Sequence, residues 1–116
     1  MWPRIIYTGV CYGVLQQYAK AIEAYRRTVE LHPKRARAWL NLGAAHYALG
    51  APENAAAAYG RAIEIRPAYA EAWENLAHTH RATGARAEAI AAYREVLRLR
   101  PGHAQRAEYE DWIKGH

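Results

Sequence analysis

Apolar residues in this chain fall in short stripes at helical spacing, and the stripes come in pairs. Trp39, Leu42, Gly43 and His46 stand at relative positions 0, 3, 4 and 7, which is one side of an α-helix turning about 100° per residue. Gly50 follows as a C-cap. Pro52 sits where a first helical turn tolerates it, and Ala55, Tyr59, Ala62 and Ile63 form a second amphipathic stripe that Pro67 stops. The pattern predicts a helical hairpin over 36–69. Trp73, Leu76, Ala77, His80, Gly84, Ala89, Tyr93, Val96 and Pro101 write the same hairpin again over 70–103.

The period between the two is 34 residues, and it extends backwards: Ala21, Tyr25 and Pro33 precede Ala55, Tyr59 and Pro67 by one period. A first unit is therefore predicted over 2–35. Its opening half matches less well, with Ile5, Thr8, Gly9 and Tyr12 at the first-helix positions and Gln16 where the later units carry glycine. Gly13 inside that stretch costs a helix roughly 1 kcal/mol relative to alanine. The helix over about 3–15 is expected to fray or to pack against another molecule. Beyond Pro101, residues 104–114 are helix-compatible, and Tyr109, Trp112 and Ile113 read either as an end cap or as a fourth unit begun. On both readings Trp112 or Ile113 packs on the last full unit.

Self-similarity at this period marks a stack of units that cannot bury their apolar faces singly. The quoted residues resemble the tetratricopeptide signature W-x2-L-G-x2-Y, then A-x3-F, then P, with His for the first Tyr and Tyr for Phe. The resemblance covers residues 2–103. It implies an all-α fold, an α-solenoid of three stacked helix-turn-helix tetratricopeptide repeats at 2–35, 36–69 and 70–103, wound right-handed and closed by a C-terminal capping helix at 104–114. Trp39, Leu42, Tyr59, Trp73, Leu76 and Tyr93 are the expected core.

Composition agrees with helices packed closely through small residues: hydrophobic residues make up 52% of 116, phenylalanine is absent, and bulk comes from four Trp and nine Tyr. One domain of this size can hold a real core. The formal charge is +5, concentrated towards the start, which favours acidic partners. Cys11 stands alone, so no internal disulfide or cysteine metal site is expected. The opening residues lack a clustered basic start and a small-residue cleavage site, and no run reaches the roughly 18 apolar residues of a membrane helix. The reading is a cytoplasmic chain.

On the first helix of the second unit, Arg37, Leu40, Asn41, Ala44, Tyr47 and Ala48 lie roughly 80° to 180° from Trp39. The resemblance makes this face the inner groove, to which the third unit adds Glu71, Glu74, Asn75, His78, Arg81 and Ala82, and the first Ile6, Tyr7, Val10 and Val14. Asn41 and Asn75 are one period apart. A carboxamide offers a donor and an acceptor in one plane, matching a peptide unit of an extended ligand. Four such bonds contribute roughly 2 to 6 kcal/mol net, whereas micromolar affinity needs about 8 kcal/mol. Leu40 and Tyr47 are expected to supply an apolar floor, and Arg37, His78 and Arg81 sites for acidic side chains. The chaperone-tail clamp of some family members does not carry over: Ile6 and Val10 stand where it has Lys and Asn, and Glu71 and Asn75 where it has Lys and Arg. An acid at position 71 repels a carboxylate.

Six histidines raise a metal site, but His78 and His80 are about 200° apart on a helix and cannot share an ion. His46 and His80 fall on the packing stripe instead. No phosphate loop, nucleophile elbow or His-Glu-x-x-His motif is present, so no catalytic residue, metal or cofactor is expected. Arg26, Arg27, Lys34, Arg35 and Arg37 form a basic cluster without an aromatic nucleic-acid motif, which argues against nucleic acid as the specific partner. The expected function is a non-catalytic interaction module that holds an extended or helical, acidic, apolar-anchored peptide or a partner subunit in its concave face. The alternatives are a structural repeat protein that self-assembles through its stack ends, and a substrate-recruiting segment of a larger enzyme.

Overall fold

The computed structural model describes the backbone of residues 2–115 and the side chains of residues 14–115. It contains α1 (Trp2–Leu31), α2 (Ala36–Leu49), α3 (Pro52–Ile65), α4 (Ala70–Thr83), α5 (Arg86–Leu99) and α6 (Arg106–Lys114), with no strand among the described residues. The all-α stack of helix-turn-helix units is what the structure shows.

The turns inside the two hairpins are made by glycine. Gly50 and Gly84 take φ of 90° and 82°, a left-handed conformation that any side chain would strain. In each case the next two amides fold back on the helix end: Gly50 N–H donates to Tyr47 O at 3.0 Å and Ala51 N–H to His46 O at 2.8 Å, with Gly84 to Arg81 and Ala85 to His80 repeating the motif. α2 with α3 and α4 with α5 are thereby antiparallel pairs.

The unit at 2–35 does not close in this way. α1 is one helix of 30 residues, unbroken through Gln16. Gln16 occupies the position of Gly50 and Gly84 and has no cheap route to a positive φ, so the helix continues where the other units reverse. The expectation of fraying over 3–15 concerns side chains that, up to residue 13, lie outside the described ones.

Units are joined by the tryptophans. Trp39 Nε1–H donates to Pro33 O and Trp73 Nε1–H to Pro67 O, both at 2.9 Å. Each indole thus fastens the first helix of a unit to the proline turn that ends the preceding one. Around these joints lie three apolar clusters. Ile22, Val29, Ala38, Leu42, Ala45 and Ala58 join α1 to α2 and α3. Ala36, Leu40, Ala55, Tyr59, Ala62, Tyr69 and Ala72 join α2 and α3 to α4. The third cluster holds Ala77, Ala89, Ala92, Tyr93, Val96 and Tyr109, with Trp73, Trp112 and Ile113 packed against it. The expected core residues Trp39, Leu42, Tyr59, Trp73, Leu76 and Tyr93 all lie in or against these clusters, and both Trp112 and Ile113 pack on the last unit.

α6 begins at Arg106, 36 residues after Ala70 and so two later than strict periodicity. The shift places Tyr109, Trp112 and Ile113 where α4 has Trp73, Leu76 and Ala77. α6 is a first helix in form, moved along by a longer turn.

Candidate functional site

The first helices α2 and α4 lie side by side, and their outward turns carry the residues the sequence assigned to a groove. Arg37 Nη1 stands 3.5 Å from Glu71 Oε2, linking the two helices across one full period. Both side chains are largely in water, so the pair contributes little to stability. One turn on, half-buried Asn41 faces a depression of about 340 Å³ that Tyr18, Ala21, Tyr25, Ala44, Ala45 and Ala48 also line. Among the described residues neither the Asn41 nor the Asn75 carboxamide is hydrogen-bonded to the protein. Tyr47 is 42% exposed at the far end of α2.

Leu40 is not part of this surface. It is 3% exposed and packed with Ala36, Tyr59, Tyr69 and Ala72, which corrects its assignment to the groove floor. A first helix in a stack touches its own second helix and the next unit too, so its buried arc is wider than the single stripe that starts at Trp39. Leu40 lies on the side turned to α4.

The other end of the inner face is occupied by the chain itself. Tyr109, fully buried on α6, donates its hydroxyl proton to the Glu74 carboxylate, which also pairs with His103 Nε2 at 2.9 Å. His78 stands between two tyrosines: its Nδ1 is 2.8 Å from the Tyr93 hydroxyl and its Nε2 is 3.4 Å from that of Tyr109. With the Tyr109 proton committed to Glu74, His78 Nε2–H donates to Tyr109 and Nδ1 accepts from Tyr93. This tautomer follows from the partners.

The rings pack as well as bond. Tyr93 and Tyr109 are stacked with centroids 4.5 Å apart, and His78 meets both edge-on. Burial lowers the His78 pKa; Arg81 and His103 act in the same direction, while Glu74 and Glu108 oppose them. Burial likewise raises the Tyr109 pKa, followed by its bond to Glu74. The imidazole is thus held neutral between phenols that keep their protons. Arg81 lies over the Trp112 ring at 4.9 Å, and Arg86 over the same ring at 4.6 Å, donating also to Trp112 O.

The residues expected to form one groove therefore divide. Arg37, Asn41, Tyr47 and Asn75 remain on the open part, whereas Glu74, His78 and Arg81 are engaged by α6 and the turn leading to it. The sequence pattern marks Tyr109 as a packing residue but does not reveal it as one that fills the groove. Its signal is the Tyr109-x2-Trp112-Ile113 spacing, which echoes Trp39-x2-Leu42-Gly43. Tyr18 and Tyr25 were missed as lining residues because they sit on a second helix, whose face the other units cover.

His46 is buried, its Nδ1 without a partner among the described residues, and burial followed by the Arg26 charge lowers its pKa. Among the described residues no three His, Cys, Asp or Glu side chains gather as a metal site, and no helix is long and apolar enough to cross a membrane.

Comparison with known proteins bears on this arrangement. Two tetratricopeptide repeat family models match the chain, one over residues 12–70 and the other over 70–103. No curated protein sequence is significantly similar to it. Among solved structures, the first such domain of Spaghetti (RPAP3), bound to the HSP90 peptide SRMEEVD, superposes with a TM-score of 0.79 at 21% identity, covering 93% of this chain and 86% of that one. The second such domain of human RPAP3, in complex with the HSP70 peptide SGPTIEEVD, gives 0.78 at 25% identity and covers 94% and 91%. The TPR2B domain of yeast Sti1, in a complex with Hsp70, gives 0.75 at 22% identity and covers 91% and 87%.

Proposed function

We propose, for a chain that belongs to the tetratricopeptide repeat family, the role of a non-catalytic cytoplasmic adaptor that holds a segment of another protein against its open inner face. The observation that carries this reading is the pair of half-buried asparagines, Asn41 and Asn75, one period apart with no intramolecular use for their carboxamides among the described residues. Groups held at fixed spacing on rigid helices are suited to the regularly spaced amides of an extended peptide. Tyr47, 42% exposed, offers apolar contact on the same helix as Asn41.

Peptide ligands in the similar structures support a peptide as the partner class. Their acidic sequences agree with the +5 charge of this chain. The grip differs, however. Glu71 faces Arg37 across α2 and α4, and Asn75 replaces a cation, so the ligand's acidic groups are met by the exposed Arg37 at the edge of the face instead of by a paired-carboxylate clamp. Charge supplies attraction, and the amides supply register.

The reading is tested by capturing partners from lysate with the wild-type chain and with Asn41→Ala/Asn75→Ala, then measuring affinity for peptides of the recovered proteins. Weakening of at least tenfold with unchanged helical content is expected. Equal affinity of the two proteins for every captured peptide defeats the proposal.

A further inference from the structure

The repeat provides an internal control for what each second helix should bury. Ala55 and Tyr59 are 0% and 3% exposed, and Ala89 and Tyr93 are both 0% exposed. One period earlier, Ala21 and Tyr25 are only half-buried. Tyr59 is closed over by α2, whose Gly43 lies flat on the ring: a Cβ there would stand 2.7 Å from two ring carbons. The helix that would close over Tyr25 is the stretch ahead of Gln16, and in α1 it runs straight on.

That stretch nevertheless keeps what the seat requires. Gly9 precedes Gly43 by 34 residues, so the position at which Tyr59 leaves no room for a Cβ is glycine again one period earlier. Residues 2–15 lie within α1, one period before α2. The seat beside Tyr25 is floored by Ala21, Ala44, Ala45 and Ala48, small side chains that let a helix approach closely. Val14 and Leu15, at the end of the stretch, are 42% and 36% exposed.

We infer that residues 2–15 of one copy seat on the Ala21–Tyr25 face of a second copy, in a reciprocal exchange that completes the first repeat of each. The continuous α1 selects this occupant. A helix that cannot reverse at Gln16 cannot cover its own Tyr25, but two such helices lying antiparallel and crossing near residue 16 cover each other's. The contact is isologous and closes at two chains, the commonest outcome of an exchanged element. It also supplies the inner helix that the groove beside Asn41 lacks, so the exchange extends the binding face.

The test uses the full chain. Sedimentation is expected to give twice the 13.1 kDa chain mass, and Gly9→Leu, which sets a side chain against Tyr25, is expected to return the mass to that of one chain while the helical signal persists. In a Cys11→Ser background, Gly9→Cys and Ala21→Cys placed on separate chains and mixed under mild oxidation are expected to form a disulfide between chains, since their counterparts Gly43 and Ala55 are in contact in the second unit. A single-chain mass for the wild type at every concentration, a dimer undisturbed by Gly9→Leu, or a disulfide that forms only when both cysteines share one chain would each overturn the inference.

Discussion

The Tyr109 hydroxyl donates to the Glu74 carboxylate, so the last helix reaches back 35 residues to the inner face of the stack. Tyr109→Phe keeps the ring against Tyr93 and removes that bond, together with the acceptor for His78 Nε2–H. Stability is expected to fall by about 1 to 3 kcal/mol in urea unfolding with little change in helical content, because a buried partner is left unsatisfied. A variant as stable as the parent would show the Glu74 carboxylate content with His103 alone.

Acid should weaken the fold through two imidazoles. His46 and His78 have pKa values lowered below 6.5 by burial in the folded state. Below that unfolded value the unfolded chain binds more protons, so this contribution is whole above it and is lost as pH falls from 6.5 through the depressed folded values. Melting temperature is expected to drop between about pH 7 and pH 5, and His46→Gln with His78→Gln is expected to flatten that slope.

Trp39→Phe and Trp73→Phe separate the indole bond from ring packing. Each is expected to cost about 1 kcal/mol for the lost donor to Pro33 O or Pro67 O, plus the smaller ring's packing loss. Trp39→Ala is expected to cost about 3 to 5 kcal/mol. Urea midpoints of the three variants check the order.

Arg37→Ala distinguishes a binding residue from a structural one. Its ion pair with Glu71 is exposed, so stability should change by no more than about 1 kcal/mol. Affinity for an acidic peptide should fall, and the wild-type affinity should weaken as salt is raised. Unchanged affinity in low salt would remove Arg37 from the site.

Much of the architecture was legible because the period is set by local chemistry. Trp39 and Trp73 seek the same carbonyl, Gly50 and Gly84 the same left-handed turn, Tyr59 and Tyr93 the same buried slot, and each leaves its residue type at a fixed interval. The failures came where one residue acts across units. Leu40 looked like groove floor because a single helical wheel cannot register the neighbouring unit. Gln16 departs from the glycine of the later units, yet its result, a helix that never reverses, depends on the absence of a turn and not on any residue's presence. Tyr109 was legible as a packing residue, but not as the group that would take Glu74 and His78 out of the open face. Its reach depends on two extra residues in the turn before α6, which shift the register without altering the motif.

Since each indole fastens backwards, to the proline turn of the unit before it, every module brings its own clasp. A duplicate of residues 36–69 spliced in after Tyr69 would meet Pro67 O with its own tryptophan and offer its own proline to Trp73, lengthening the array without redesign. At α6 a phenol takes the place of the indole, and the clasp turns inward to Glu74.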